Sequence, residues 1–222
     1  MKKEKEEHIR YAEFLGDSNI GLFGVATDKY VVLPEAGIDV LPLSKKVAYT
    51  TIAGTKLCGI FLAGNSHGLL VPRTITDREL ANLKKSLHGI NICVIESKHT
   101  ALGNLVVCND SGAIISPLLH AQADAISKCL KVPVLEHEIL GMNIVGALCT
   151  ATNKGFILDM YASETEFKLI SQFLKVKGDI GTVNFGSEFV KSGILANSKA
   201  VFVGSKTTGP EVARIDEALG FL

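Results

Sequence analysis

Short apolar runs alternate with small polar turns along most of the chain, and one such pattern repeats. An apolar strand, a polar turn and a second apolar strand occur five times. The turns are Thr27-Asp28-Lys29-Tyr30, Asn65-Ser66-His67-Gly68, Asn109-Asp110-Ser111-Gly112, Thr152-Asn153-Lys154-Gly155 and Asn197-Ser198-Lys199-Ala200. Their last positions, 30, 68, 112, 155 and 200, are spaced by 38, 44, 43 and 45 residues. Asn, Asp and Gly suit tight hairpins because they tolerate left-handed backbone. Nine residues upstream of the last position, four copies carry a glycine: Gly21, Gly59, Gly103 and Gly146. The fifth carries Lys191, with Gly193 nearby. Downstream, four copies place apolar residues on one helical stripe. These are Leu80/Leu83/Leu87, Ala123/Ile126/Leu130, Phe167/Ile170/Leu174 and Val212/Ile215/Leu219. Thr76-Asp77-Arg78-Glu79 and Ser163-Glu164-Thr165-Glu166 are capping boxes, and Pro210 suits a first turn.

Three of these helices lead into another strand-like run: Ile90–Glu96, Val132–Ile139 and Val176–Val183. Each unit therefore reads strand, strand, helix, strand. The first unit deviates. Pro34 and Pro42 fall where its helix would lie, so residues 34–46 predict a loop, followed by a strand at Val47–Ala53. The fifth unit stops after its helix, while Ile9–Leu15 is an unassigned strand at the other end. If that strand completes the fifth unit, the array closes into a five-fold α/β ring without exposed sheet edges. An open solenoid would require polar capping repeats, and the fifth repeat is not polar. With no Pro- or Ser-rich linker, residues 9–222 predict a single domain. The mixed-charge start, residues 1–8, predicts a solvated, mobile tail.

Composition narrows the function classes. The 222 residues contain 23 Lys+Arg and 23 Asp+Glu, so bulk electrostatic binding to nucleic acid is disfavoured, DNA included. No tryptophan and 6% aromatics argue against a base-stacking platform. The start has no apolar stretch behind it and reads as no signal peptide, and no apolar run is long enough to span a membrane. A cytoplasmic protein is expected. The five cysteines, at 58, 93, 108, 129 and 149, form no C-x-x-C and predict free thiols in a reducing compartment.

The chemical motifs are weak. Gly59 to Ser66 has P-loop glycine spacing but lacks the lysine, and reads as a strand bounded by two glycines. Gly204 to Gly209 reads as the loop entering the last helix. His137 lies between Glu136 and Glu138, but on a strand only the two glutamates share a side, so no metal site is expected. No cofactor motif is present. Five-fold α/β rings include guanidino-modifying enzymes with a cysteine nucleophile late in the chain. Here residues 187–222 contain neither Cys nor His, and the remaining cysteines look like core. That enzyme class remains the alternative reading, and a thiol within reach of a histidine in a pocket would mark it. Polar residues in an apolar frame are the other candidates. Asn104 occupies a strand start, Asn65 and His67 a hairpin tip, and Thr182 to Ser187 a junction. Each is either a backbone-satisfying polar residue or a contact on the rim.

Four segments carry a resemblance: residues 64–72, Thr100-Ala101-Leu102-Gly103-Asn104 with Cys108-Asn109-Asp110, residues 181–187, and Thr207 to Glu211. In this order they resemble the translation initiation factor 6 family, the ribosome anti-association factors of archaea and eukaryotes, from about Ile9 to Leu222. The resemblance implies a closed five-fold pseudosymmetric α/β propeller, or pentein. It implies a monomer with no catalysis that binds the large (50S) ribosomal subunit near ribosomal protein L14 and the sarcin–ricin loop of rRNA. There it would block joining of the small (30S) subunit. Without the C-terminal extension of eukaryotic members, the chain looks like the archaeal form. By the same resemblance Asn104 is the first expected contact, then Leu102 and Gly103, then Asn65 and His67.

Overall fold

The computed structural model describes residues 8–222. Residues 1–7, most of the expected tail, lie outside them. His8 lies inside: its Nε2 is 2.7 Å from Asp216 Oδ1 and its ring stacks on Phe221.

The chain folds as a mixed α/β domain of five three-stranded sheets. In each, an antiparallel hairpin is followed by a parallel third strand. Unit 1 joins Val25–Ala26, Val31–Leu33 and Val47–Tyr49. Unit 2 joins Ala63–Gly64, Gly68–Pro72 and Asn91–Ile95. Unit 3 joins Val106–Cys108, Ala113–Ile115 and Val134–Glu136. Unit 4 joins Cys149–Ala151, Gly155–Asp159 and Lys177–Gly181. Unit 5 joins Ile194–Ala196 and Val201–Gly204 to Ile9–Ala12 from the other end of the chain, with Ile9 opposite Val201 and Ala12 opposite Gly204. The central strand of every sheet is buried along its length, as expected of apolar runs covered on both faces.

Four helices follow the hairpins: Asp77–Ser86, Ala123–Leu130 after a 3-10 turn, Glu164–Leu174 and Gly209–Ala218. Their stripes point inward, with Leu83, Ile126, Ile170 and Ile215 fully buried. Unit 1 has no helix, and its loop instead buries Val40 and Leu43. Both expected capping boxes form, and Thr208 with Glu211 makes a third. Five apolar clusters each join two consecutive units. One packs Val32 on Leu69, the next Leu70 on Ile115, then Ile114 on Phe156 and Ile157 on Val203. The last returns from Phe202 of unit 5 to Val31 of unit 1.

Two readings are corrected. The strands expected around Gly59 and at Asn104 begin with a single helical turn, Cys58–Phe61 and Leu102–Leu105. Every unit has one, the others being Ile20–Leu22, Val145–Leu148 and Val190–Gly193. A four-residue turn is too short to leave a helical period in the sequence. The free-thiol reading fails at two positions. Cys93 and Cys129 are joined by a disulfide, leaving Cys58, Cys108 and Cys149 free. Helix Ala123–Leu130 packs against the sheet of the preceding unit, which brings Cys129 within a Cα separation of 6.1 Å of Cys93.

The capping glutamates also hold neighbouring turns. Glu79 accepts hydrogen bonds from Thr76 N and also from Ala53 N and Gly54 N, a turn with positive φ at both residues. Glu211 binds Phe185 N and Gly186 N similarly. Burial alone would raise the Glu79 carboxyl, but hydrogen bonds from Thr51, Gly54 and Thr76 outweigh it and bring it from 4.5 down to about 2. Glu166 and Glu211 are lowered for the same reasons. The folded value lies below the unfolded one, so this stabilisation is full above pH 4.5 and is lost as pH falls toward 2. For Glu79 it amounts to at most about 3 kcal/mol. Urea unfolding at pH 7, 4 and 2.5 should show this loss. Glu79→Gln should be weaker at pH 7 and depend less on pH, whereas a parallel loss in both proteins would contradict the assignment.

Candidate functional site

The five hairpin tips and the five helical turns meet at the centre of the molecule, at its two ends. At the tip end, asparagines of units 2, 3 and 5 fasten their unit to the next. Asn65 Nδ2 donates to Asn109 O at 3.0 Å and Leu130 O at 2.9 Å. Asn109 Nδ2 donates to Thr152 O and Leu174 O, and Asn197 Nδ2 to Thr27 O and Leu43 O. Tyr30, fully buried, reaches Gly68 O through its hydroxyl at 2.8 Å. Asn153 Nδ2 bridges Asp28 and Asp110. Asp28, Asn65, Asn109, Asp110, Asn153 and Asn197 line a cavity of only about 30 Å³.

At the turn end, glycines set the spacing. A Cβ on Gly146 would stand 2.3 Å from Gly103 O, one on Gly103 2.0 Å from Gly59 O, and one on Gly59 1.9 Å from Gly21 O. A Cβ on Gly21 would stand 1.8 Å from Lys191 O. Four of the five turns therefore rest on a backbone carbonyl of the previous one. Lys191 replaces the glycine of the fifth turn, and its side chain crosses the centre instead. Its Nζ donates to Gly103 O at 2.9 Å. Burial pulls the ammonium from 10.5 down to about 8, opposed by the nearby Cys108 sulfur. Lys191 lines both an inner cavity of about 70 Å³ and an outer one of about 350 Å³. The outer cavity opens among the turns and is lined by all five units, including Leu22, Gly59, Asn104, Ile144 and Phe189.

The expected contact residues fall at both ends. Asn104 stands half-buried on its turn at the wall of the outer cavity. Leu102 and Gly103 are buried beneath it, so they shape the turn. Asn65 is buried, with both amide hydrogens committed to unit 3. His67 is half-buried on the same tip. The structure thus groups Asn104 with Leu102 and Gly103 and separates them from Asn65 and His67. Sequence reading missed Lys191 as a central residue, although its place in the glycine frame was the available signal. Phe189, 46% exposed, was also missed, whereas Phe185, 82% exposed, lies in the Thr182 to Ser187 junction that the sequence offered. Phe189 lines the outer cavity, and an exposed aromatic leaves no periodic trace.

The inner cavity is lined by the thiols of Cys108 and Cys149, and no histidine is among its lining residues. Burial pushes Cys108 up to about 12 and raises Cys149 as well, so neither is an activated thiolate at neutral pH. No cluster of three metal-ligating side chains occurs among the described residues. No helix among them is long and apolar enough to cross a membrane.

Sheets, turns and centre define a five-unit α/β repeat protein whose middle is built from backbone contacts and polar side chains of all five units. The chain belongs to the eIF-6 family, whose model matches residues 9–218. It is 37% identical to translation initiation factor 6 of Saccharolobus islandicus (strain L.S.2.15 / Lassen #1), over 96% of this chain and 99% of that protein. It is 36% identical to translation initiation factor 6 of Pyrococcus horikoshii, over 97% and 100%, and 39% identical to that of Aeropyrum pernix, over 92% of each. Family membership places the chain among translation initiation factors.

Proposed function

We propose that the five units form a closed pseudosymmetric propeller, a pentein, that binds the 50S ribosomal subunit and sterically prevents its association with the 30S subunit. The protein acts as a cytoplasmic monomer without catalysis. The observation that carries this reading is the turn end. There a half-buried Asn104, whose side chain has no hydrogen-bond partner among the described residues, stands in one cavity wall with a partly exposed Phe189. An aromatic anchor beside an unspent amide suits a protein partner. The zero formal charge favours a protein-rich patch, such as the L14 region near the sarcin–ricin loop, over a broad RNA surface. Asn104 makes the contact, and Leu102 and Gly103 hold its turn in shape. Asn65 and His67 belong to the other end and lie outside this contact.

Sucrose gradients of separated archaeal subunits test it. The protein should co-migrate with 50S subunits and lower the associated-ribosome peak. Asn104→Asp, with an unchanged fold by circular dichroism, should weaken both by roughly tenfold or more. Migration at the top of the gradient with association unchanged would sink the proposal.

A further inference from the structure

Lys191, a cation without a counter-ion, lines the outer cavity at the turn end. No ion pair among the described residues involves Lys191. Its ammonium has three hydrogens, and Gly103 O is its one hydrogen-bond partner among the described residues. Asn104, Ser187 and Ser192 also line the cavity, and none of these side chains has a hydrogen-bond partner there. Leu22, Ile144, Ala147 and Phe189 supply an apolar wall. A buried ammonium with unspent donors beside it favours an anion, because the low-dielectric surroundings penalise the lone charge. The volume of about 350 Å³ falls within the range that encloses a small organic ligand.

The cavity has this form because the repeat is broken at one place. In the other four turns a glycine lets the neighbouring carbonyl approach closely. At Lys191 the side chain leaves the turn and places its amine against the carbonyl of Gly103, two units away. The cation therefore sits off the five-fold pattern, and the apolar wall comes mainly from units 4 and 5, with Leu22 from unit 1. A cation and an apolar wall in one cavity select an amphipathic anion over inorganic phosphate. Phosphate would leave the apolar wall unused and would place more negative charge than one ammonium can balance.

We propose that this cavity binds a small monocarboxylate with a short apolar body, its carboxylate on Lys191 Nζ and its body against Phe189, Ile144 and Ala147. The carboxylate accepts the free ammonium hydrogens, and the Asn104 amide and Ser192 hydroxyl donate to its second oxygen. The cavity shares Asn104 and Phe189 with the surface proposed to meet the 50S subunit, but pentanoate binding to the isolated protein is read without ribosomes, so the two proposals fail separately.

The test uses the full chain, isotope-labelled, with pentanoate as the probe. Amide resonances of Asn104, Phe189, Lys191 and Ser192 should shift saturably with a Kd on the order of 1 mM. Pentanol, which keeps the body and lacks the charge, should not shift them. Lys191→Met should weaken pentanoate binding roughly tenfold or more, the loss of a charge-assisted hydrogen bond. Phe189→Ala, at a partly exposed position, should weaken pentanoate while leaving acetate binding unchanged. Three results would each overturn the proposal: no saturable shift up to about 10 mM pentanoate, equal effects of pentanol and pentanoate, or unchanged binding in Lys191→Met. If Lys191→Met does not fold, the pentanol comparison and Phe189→Ala decide the matter in the same way.

Discussion

Asn109→Ala is expected to lower the free energy of unfolding by about 4 kcal/mol. The Asn109 amide donates to two carbonyls of unit 4, Thr152 O and Leu174 O, at 3.1 and 2.9 Å. Its side-chain oxygen accepts from Ser111 N and Gly112 N in its own hairpin. The residue is buried, so water does not replace the lost partners. Each buried polar group left unsatisfied costs roughly 1–3 kcal/mol. Thr152 is the internal comparison. It occupies the same place in unit 4, but its hydroxyl bonds only within its own hairpin, to Gly155 O, Lys154 N and Gly155 N. Thr152→Ala should therefore cost only about 1 kcal/mol. Urea unfolding of the three proteins measures both. Equal losses in the two variants would show that the asparagine does not join the units.

Gly103→Ala is expected to be at least as damaging, with a loss above about 3 kcal/mol or failure to accumulate as soluble protein. The added methyl would stand 2.0 Å from Gly59 O, 2.7 Å from Leu62 O and 2.9 Å from Ile60 O. All three are backbone atoms, so no rotamer change relieves the overlap. The two turns would have to separate, opening the centre where all five units meet. Gly209→Ala is the control, because a Cβ there has no atom within 4 Å. It lies in the first turn of the last helix, where alanine is favoured over glycine by several tenths of a kcal/mol. A Gly103→Ala protein that is as soluble and stable as the Gly209→Ala protein would refute the close packing of the turns.

The disulfide between Cys93 and Cys129 shows where sequence arithmetic stops. An odd number of cysteines without a paired motif gives no connectivity. Whether two of them meet depends on which sheet a helix leans against. Helix Ala123–Leu130 leans on the third strand of unit 2 as well as on its own unit, and that packing joins them. The helical turns at the centre were hidden for another reason. Their backbone is held by neighbouring turns, and four residues carry no period of their own.

The sequence alone determined the five-unit plan, because three signals shared one frame: polar tips, upstream glycines and downstream apolar stripes. It also determined that unit 1 has no helix, since Pro34 and Pro42 cannot continue one. The strand Ile9–Ala12 was legible as the missing partner of unit 5 by counting alone. Tertiary structure decided the rest. It assigned Asn65 to holding units together and Asn104 to the cavity wall, although both are asparagines in apolar frames. It turned Lys191 from a break in a glycine pattern into the one lysine or arginine among the described residues that lines the cavity at the turn end. Local propensity and periodicity are properties of neighbours along the chain. The site is made from residues as far apart as Leu22 and Lys191, and only the packing of five units brings them within reach.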